Sequence, residues 1–291
     1  MEASGKRYVV HGSRTDEFTI WNMADIHFGN RACALGRCKA DIEQIRGDPF
    51  SFWVGGGDYA EYIGLTDKRF DPDCVADRLR VKDMGRLGKV LIAGVGDLLE
   101  PIKGKCLGLV LGNHEKKYQQ AKEQSDLHAS LCVKLDVPNL EYSALFDVVF
   151  VRRPSQKTPI LRTKPPTNRK GDPFGNSSAF RFFIHHGAGF AQTPAGKLKR
   201  LLDFMSTFKA DVYMVGHVHD KTGKRRVEVG GDTRCKNLIE HERLGIISGS
   251  YLKTYAQGVT TYGEQRGYGA VPLGPSFVRI CPETRKMTAE I

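Results

Sequence analysis

Five short apolar stretches in this chain each run straight into a tight polar turn that carries metal-ligating residue types. EFTIWNMA at 17–24 leads to Asp25-Ile-His27, and FSFWV at 50–54 to Gly55-Gly-Gly-Asp58. CLGLVLG at 106–112 leads to Asn113-His114-Glu115, AFRFFI at 179–184 to His185-His186-Gly187, and DVYMV at 211–215 to Gly216-His217-Val-His219. Runs of this length, rich in aromatic and β-branched residues, predict buried strands. Residues 33–47, most of 74–101, 115–123, 127–135 and 197–208 carry helical spacing between them. Strands alternating with helices predict an α/β fold, and α/β sheets place their sites at the carboxyl ends of strands.

Six of the nine histidines lie in these five turns, with only His11, His128 and His241 elsewhere. Imidazole and carboxylate donors without a thiolate suit Mn, Fe or Zn in a reactive site rather than a cysteine-built structural zinc site. Two cations roughly 3.5–4 Å apart can share a carboxylate, clamp a phosphoryl group and lower the pKa of a water between them. The leaving oxygen then needs a proton, which a histidine outside the ligand set can supply.

A length of 291 residues predicts one domain, with a basic loop insertion at 152–177 and a hairpin-rich C-terminal lobe from about 221. No run of about 18 apolar residues predicts a membrane span, and residues 1–17 have no apolar stretch of secretory type. The seven cysteines are scattered and odd in number, which fits reduced thiols and a cytoplasmic setting. A formal charge of +11 predicts a polyanionic partner or substrate. The basic stretches that could meet DNA or RNA are 152–170, including Arg152, Arg153, Lys157, Arg162, Lys164, Arg169 and Lys170, and 221–226 just after the last turn. The 152–177 loop reads equally as a substrate-binding flap or a solvated insertion. Tyr251, Tyr255, Tyr262 and Tyr268 read either as base-stacking rings or, with more weight, as packing residues.

The five turns resemble, in order, the D-x-H, G-D, G-N-H-[D/E], H and G-H-x-H motifs of the calcineurin-like metallophosphoesterases, over residues 25–219. That resemblance implies a four-layer α-β-β-α sandwich of two mixed sheets. It implies two divalent metal ions, most simply Mn with Fe or Zn as alternatives, bound by Asp25, His27 and His219 on one side and Asn113, His185 and His217 on the other. Asp58 would bridge them. His185 is expected as the ligand because it directly follows the strand, with His186 as the alternative. His114 is the expected proton donor to the leaving group, and Glu115 reads as a carboxylate favoured at a helix start.

Protein serine/threonine phosphatases share Gly112-Asn-His-Glu115 but carry a G-D-x-V-D-R-G arginine that is missing from Gly57-Asp58-Tyr-Ala-Glu-Tyr-Ile-Gly64. Ala24-Asp-Ile-His-Phe-Gly29 is more similar to SbcD-type nucleases and related phosphodiesterases, although no long dimerisation or capping region follows residue 219. The leading expectation is thus hydrolysis of nucleic-acid or nucleotide phosphodiesters by a metal-activated hydroxide. The alternatives are a phosphomonoesterase for a small or protein substrate, and a non-catalytic binding scaffold on the same fold.

Overall fold

The computed structural model describes residues 1, 3–122, 126–167, 176–189, 191 and 193–291. Among them are strands β1 (Ala3–His11), β2 (Phe18–Met23), β3 (Ser51–Gly55), β4 (Cys106–Leu109), β5 (Ser143–Arg152), β6 (Ile160–Arg162), β7 (Ser177–His185), β8 (Val212–Val215), β9 (Thr222–Gly231), β10 (Leu238–Ile247), β11 (Ser276–Cys281) and β12 (Lys286–Glu290). The α-helices are α1 (Leu35–Gly47), α2 (Leu87–Leu99), α3 (Asn113–Lys122), α4 (Leu127–Leu135), α5 (Pro194–Thr207) and the single turn α6 (Tyr262–Gln265). Short 3-10 segments, not one helix, occupy much of 72–86. Among the described residues, no helix is long and apolar enough to cross a membrane.

One sheet has the order β12-β11-β2-β3-β4 and the other β6-β1-β5-β7-β8-β10-β9. Both are mixed: β2, β3 and β4 run parallel with β11 antiparallel to β2, while β7, β8 and β10 run parallel with β5 antiparallel to β7, β9 antiparallel to β10, and β1 parallel to β5. Period-2 alternation decides what each face buries. Phe18, Ile20, Phe52 and Val54 of the five-stranded sheet meet Phe146, Phe182, Ile184, Met214 and Ile246 of the other in one buried layer. Trp21, Met23 and Trp53 turn outward onto Ile42, Leu91, Val95 and Leu131 of α1, α2 and α4. Phe183, Tyr213 and Val215 turn outward onto Leu201 and Met205 of α5. The result is the expected four-layer α-β-β-α sandwich.

The C-terminal hairpins β9–β10 and β11–β12 complete the edges of the two different sheets. The 152–177 connection falls at an end of the seven-stranded sheet that its sequence does not reveal. Ser143 pairs with His185 and Val151 with Ser177, so the connection leaves from the far end of β5 and β7. At about 3.3 Å per residue, β7 puts that end some 25–30 Å from His185. Of its basic residues, Arg152 faces Glu283 at 3.9 Å, and Arg169 and Lys170 lie outside the described residues. A flap over the strand-end turns is therefore the wrong reading for the described part of this stretch. Thr222, by contrast, starts β9 just after Lys221, at the end where Thr222 pairs with Ile247.

Candidate metal centre

The turns after β2, β3, β4, β7 and β8 come together at one end of the seam between the sheets. Buried Asn22 of β2 donates to Val215 O of β8 at 3.1 Å, and Ser248 Oγ donates to Asn22 O at 2.7 Å, which ties the sheets together beneath the turns. Asp25 Oδ2 accepts from His217 N at 2.8 Å, and Asp58 Oδ1 accepts from His114 N at 2.9 Å. Each carboxylate thus fixes the backbone of another turn while its second oxygen faces the histidines.

Among the described residues, nine non-glycine residues adopt positive φ, and five of them are Asp25, His27, Asp58, His217 and His219. Left-handed backbone costs an L-residue roughly 1–2 kcal/mol, and it persists where surrounding contacts over-determine it. Close packing of turns also demands Gly112, where a Cβ would overlap the backbone N and carboxylate of Asp58.

Among the described residues, three groups of donors lie close enough to share an ion: Asp25, His27 and His219; Asp58, His186 and His217; and His27, Glu61 and His114. Asn113 Oδ1 joins the second group, 3.0 Å from His186 Nε2. The structure brings together Asp25, His27, Asp58, Asn113, His114, His217 and His219, and leaves His185 out. His185 stacks on Phe183 and lies against Phe204 of α5, with Nδ1 accepting from Gly187 N at 2.8 Å. Fully buried His186 takes its place, 3.3 Å from Asp58 Oδ2. The reason is strand parity: Phe180, Phe182 and Ile184 face the other sheet, so His185 falls on the helix side and His186 on the inner side. That alternation was present in the sequence.

Two acids acquire roles that sequence reasoning passed over. Glu61, three residues after Asp58, lies 3.0 Å from His27 Nδ1 and 2.9 Å from His114 Nδ1. Glu115 sits in the first turn of α3, but its buried carboxylate accepts from Tyr59 N at 2.7 Å and Asp58 N at 3.2 Å. It braces the Asp58 turn as well as the helix start.

Burial and charge set the electrostatics. Desolvation opposes ionisation of Asp25, Asp58 and Glu61, yet the neighbouring histidines (His219 for Asp25, His186 and His114 for Asp58, His114 and His27 for Glu61) hold all three carboxyls below their ordinary range. Desolvation works against His186 and His114 too, but Asp58 carries His186 to about 10, and Glu61 with Asp58 carries His114 to about 9. Burial and the neighbouring His186 push His185 down to about 4. Glu115 rises to about 7 through desolvation and the Asp58 charge.

The donor set fits divalent cations. Glu61 takes the Nδ1 side of His27, while buried His27 Nε2 and Asp25 Oδ1 have no hydrogen-bond partner. His186 Nδ1 must donate to Gly56 O at 2.7 Å, so in the neutral ring Nε2 is a lone pair facing Asp58 Oδ2 and Asn113 Oδ1. Three acceptors converging in a buried site require a proton or a cation between them. Imidazoles oriented by a carboxylate or carbonyl on their other nitrogen are the usual arrangement around bound metal.

No protein-family model and no curated protein matches this chain. Several solved structures are similar at low identity. A metallophosphoesterase from Sphaerobacter thermophilus is 13% identical with a TM-score of 0.38, covering 94% of this chain and 87% of its own. The calcineurin-like phosphoesterase YfkN from Bacillus subtilis is 12% identical with a TM-score of 0.41, covering 91% and 85%. GAP50 of Plasmodium, described as the anchor in the inner membrane complex, is 12% identical with a TM-score of 0.42, covering 91% and 81%.

Proposed function

We propose that this chain is a dinuclear-metal phosphoesterase that hydrolyses nucleotide or nucleic-acid phosphodiesters. The observation that carries the reading is the pair of adjoining donor groups at the seam, with His27 Nε2 buried and without a hydrogen-bond partner and Asp25 Oδ1 meeting only His219 Nε2, at 3.3 Å. Asp25, His27 and His219 would hold one ion and Asn113, His186 and His217 the other, with Asp58 between them. Mn is the first choice, with Fe or Zn as alternatives. When bound, such ions supply a nucleophilic hydroxide near neutral pH and neutralise charge on the phosphoryl oxygens.

The chain's own residues supply the rest. Glu61 engages His114 Nδ1, which leaves Nε2 on the side of Asp58, 4.0 Å from Oδ2, where it can give a proton to the leaving oxygen. Glu115 and Gly112 fix the turn that presents Asp58. Support for a diester of nucleotide type is the charge of +11 and the basic residues shortly after His219, Lys221 before β9 and Lys224 within it. Arg225 is occupied by Glu242 at 3.0 Å and contributes little to that group.

The test is a panel with added Mn: a phosphomonoester, an activated phosphodiester, cyclic nucleotides, and single- and double-stranded DNA. Diesters should be turned over at least tenfold faster than the monoester, and Asp58→Asn should abolish the activity. His114→Ala should keep its metal and lose most on esters with poor leaving groups. A monoester preference would overturn the substrate class, and full activity in Asp58→Asn the site.

A further inference from the structure

Beside the metal-binding turns, residues 63–87 line a small recess that opens to solvent. Asn30 and Glu61 form the wall it shares with the candidate centre, and Arg69, Phe70, Leu79 and Met84 are among its other walls. Glu61 is the carboxylate that engages both His27 and His114, so the recess adjoins the side of the site where His114 meets the leaving group.

Its one guanidinium is held in place. Arg69 Nε and Nη2 donate to the two oxygens of Asp67 at 3.1 and 2.8 Å, and Arg69 N donates to Asp67 Oδ1 at 2.9 Å. Asp67 N in turn donates to Gly64 O at 2.9 Å, so the pair is anchored to the backbone turn. The Asp67 hydrogen bond, followed by the Asp67, Glu61 and Asp58 charges, keeps Arg69 firmly cationic although half of its environment is protein. A planar guanidinium fixed by a fork on one edge presents its remaining N–H groups in a set direction, which suits a carboxylate or phosphate. Phe70, Leu79 and Met84 supply apolar surface next to it.

We infer that this recess is the leaving-group subsite, and that Arg69, oriented by Asp67, selects esters whose leaving alcohol carries a second negative charge on a partly apolar frame. The inference rests on the phosphoesterase reading for its chemistry, but its binding half stands apart from turnover. An anion on the leaving group would place its charge on Arg69 and its frame on Phe70 and Met84, with the scissile oxygen toward His114.

The experiment compares two aryl phosphodiesters that differ only in a carboxylate on the phenol, together with direct titration of the released 4-hydroxybenzoate into metal-free protein. In the parent, kcat/KM should favour the carboxylate ester. In Arg69→Gln that ratio should fall about tenfold or more, the size of one charged hydrogen bond, through KM more than kcat. Arg69→Lys should lie between, and Asp67→Asn should lower the ratio while leaving the charge in place. Binding of 4-hydroxybenzoate should weaken in the same order, with thermal midpoints unchanged as the check on folding. An unchanged ratio in Arg69→Gln, or an equal loss on both esters, would overturn the subsite. A parent that binds 4-hydroxybenzoate through Arg69 yet hydrolyses neither ester would defeat the phosphoesterase reading and leave the recess standing.

Discussion

At the residue scale, the site is set by backbone conformations that ordinary side chains avoid. Asp25, His27, Asp58, His217 and His219 all sit at positive φ, held by hydrogen bonds from one turn to the next. Such conformations are invisible in composition; the glycines beside them are the only written sign. The histidine pair at 185–186 shows the same limit differently, because adjacency to a strand end points to His185 and alternation along the strand points to His186. His186→Ala should release one of two bound equivalents of Mn, read by metal analysis after equilibrium dialysis, while His185→Ala should keep both. Two equivalents in His186→Ala would return the role to His185. Glu61 went unread, and Glu115 was legible only as a helix-start carboxylate, because an acid's partner across a turn depends on how two loops meet, which no spacing encodes.

At the element scale, the buried strands were legible and the exposed ones were not. β2, β3, β7 and β8 carry dense apolar runs, and each lies within two residues of the stretch read for it. β1 is buried only along its second half and β9 has no buried residue, so their sequences carry little alternation to read. The 74–101 stretch broke into 3-10 segments and α2 because several glycines dilute its helical propensity. On α4, His128 is buried against β4, with Nε2 facing Leu109 O at 3.2 Å and Asn139 Oδ1 at 3.0 Å, and its ring over Tyr59. Desolvation pulls its pKa down against the opposing Asp126 charge, with Cys132 and Tyr59 as its other titratable neighbours. The folded ring therefore binds fewer protons than the unfolded chain below about pH 6.5. Its linkage term is absent above that pH and costs stability as the pH falls toward the depressed folded value. Urea unfolding of His128→Gln should lose less stability between about pH 7 and 5 than the parent, by about 1.4 kcal/mol for each unit of depression. Parallel pH profiles would refute the assignment.

At the scale of the whole molecule, the four layers followed from the resemblance and from alternating strands and helices. The direction in which each connection leaves its sheet did not, because it depends on which strands run antiparallel. The donors belong to both sheets: Asp25, His27, Asp58 and Asn113 follow strands of one, and His186, His217 and His219 follow strands of the other. Ions bound between them, as proposed, would cross-link the sandwich at its seam. A metal present at 100 times its dissociation constant stabilises the bound state by about 2.7 kcal/mol. The thermal midpoint should then rise by roughly 5 °C when Mn is added to chelator-treated protein, and the rise should vanish in Asp58→Asn. No rise in the parent would count against two-sheet coordination.

The division of labour along each strand has a consequence for how this sequence can drift. Phe182, Ile184, Met214 and Phe52 answer to the volume between the sheets, and volume can be conserved by many exchanges among neighbours. The turn residues answer to a fixed direction and a fixed atom, and few exchanges keep those. Over long divergence the strands are free to become unrecognisable while the turns keep their spelling, so kinship in such a chain is written in its punctuation.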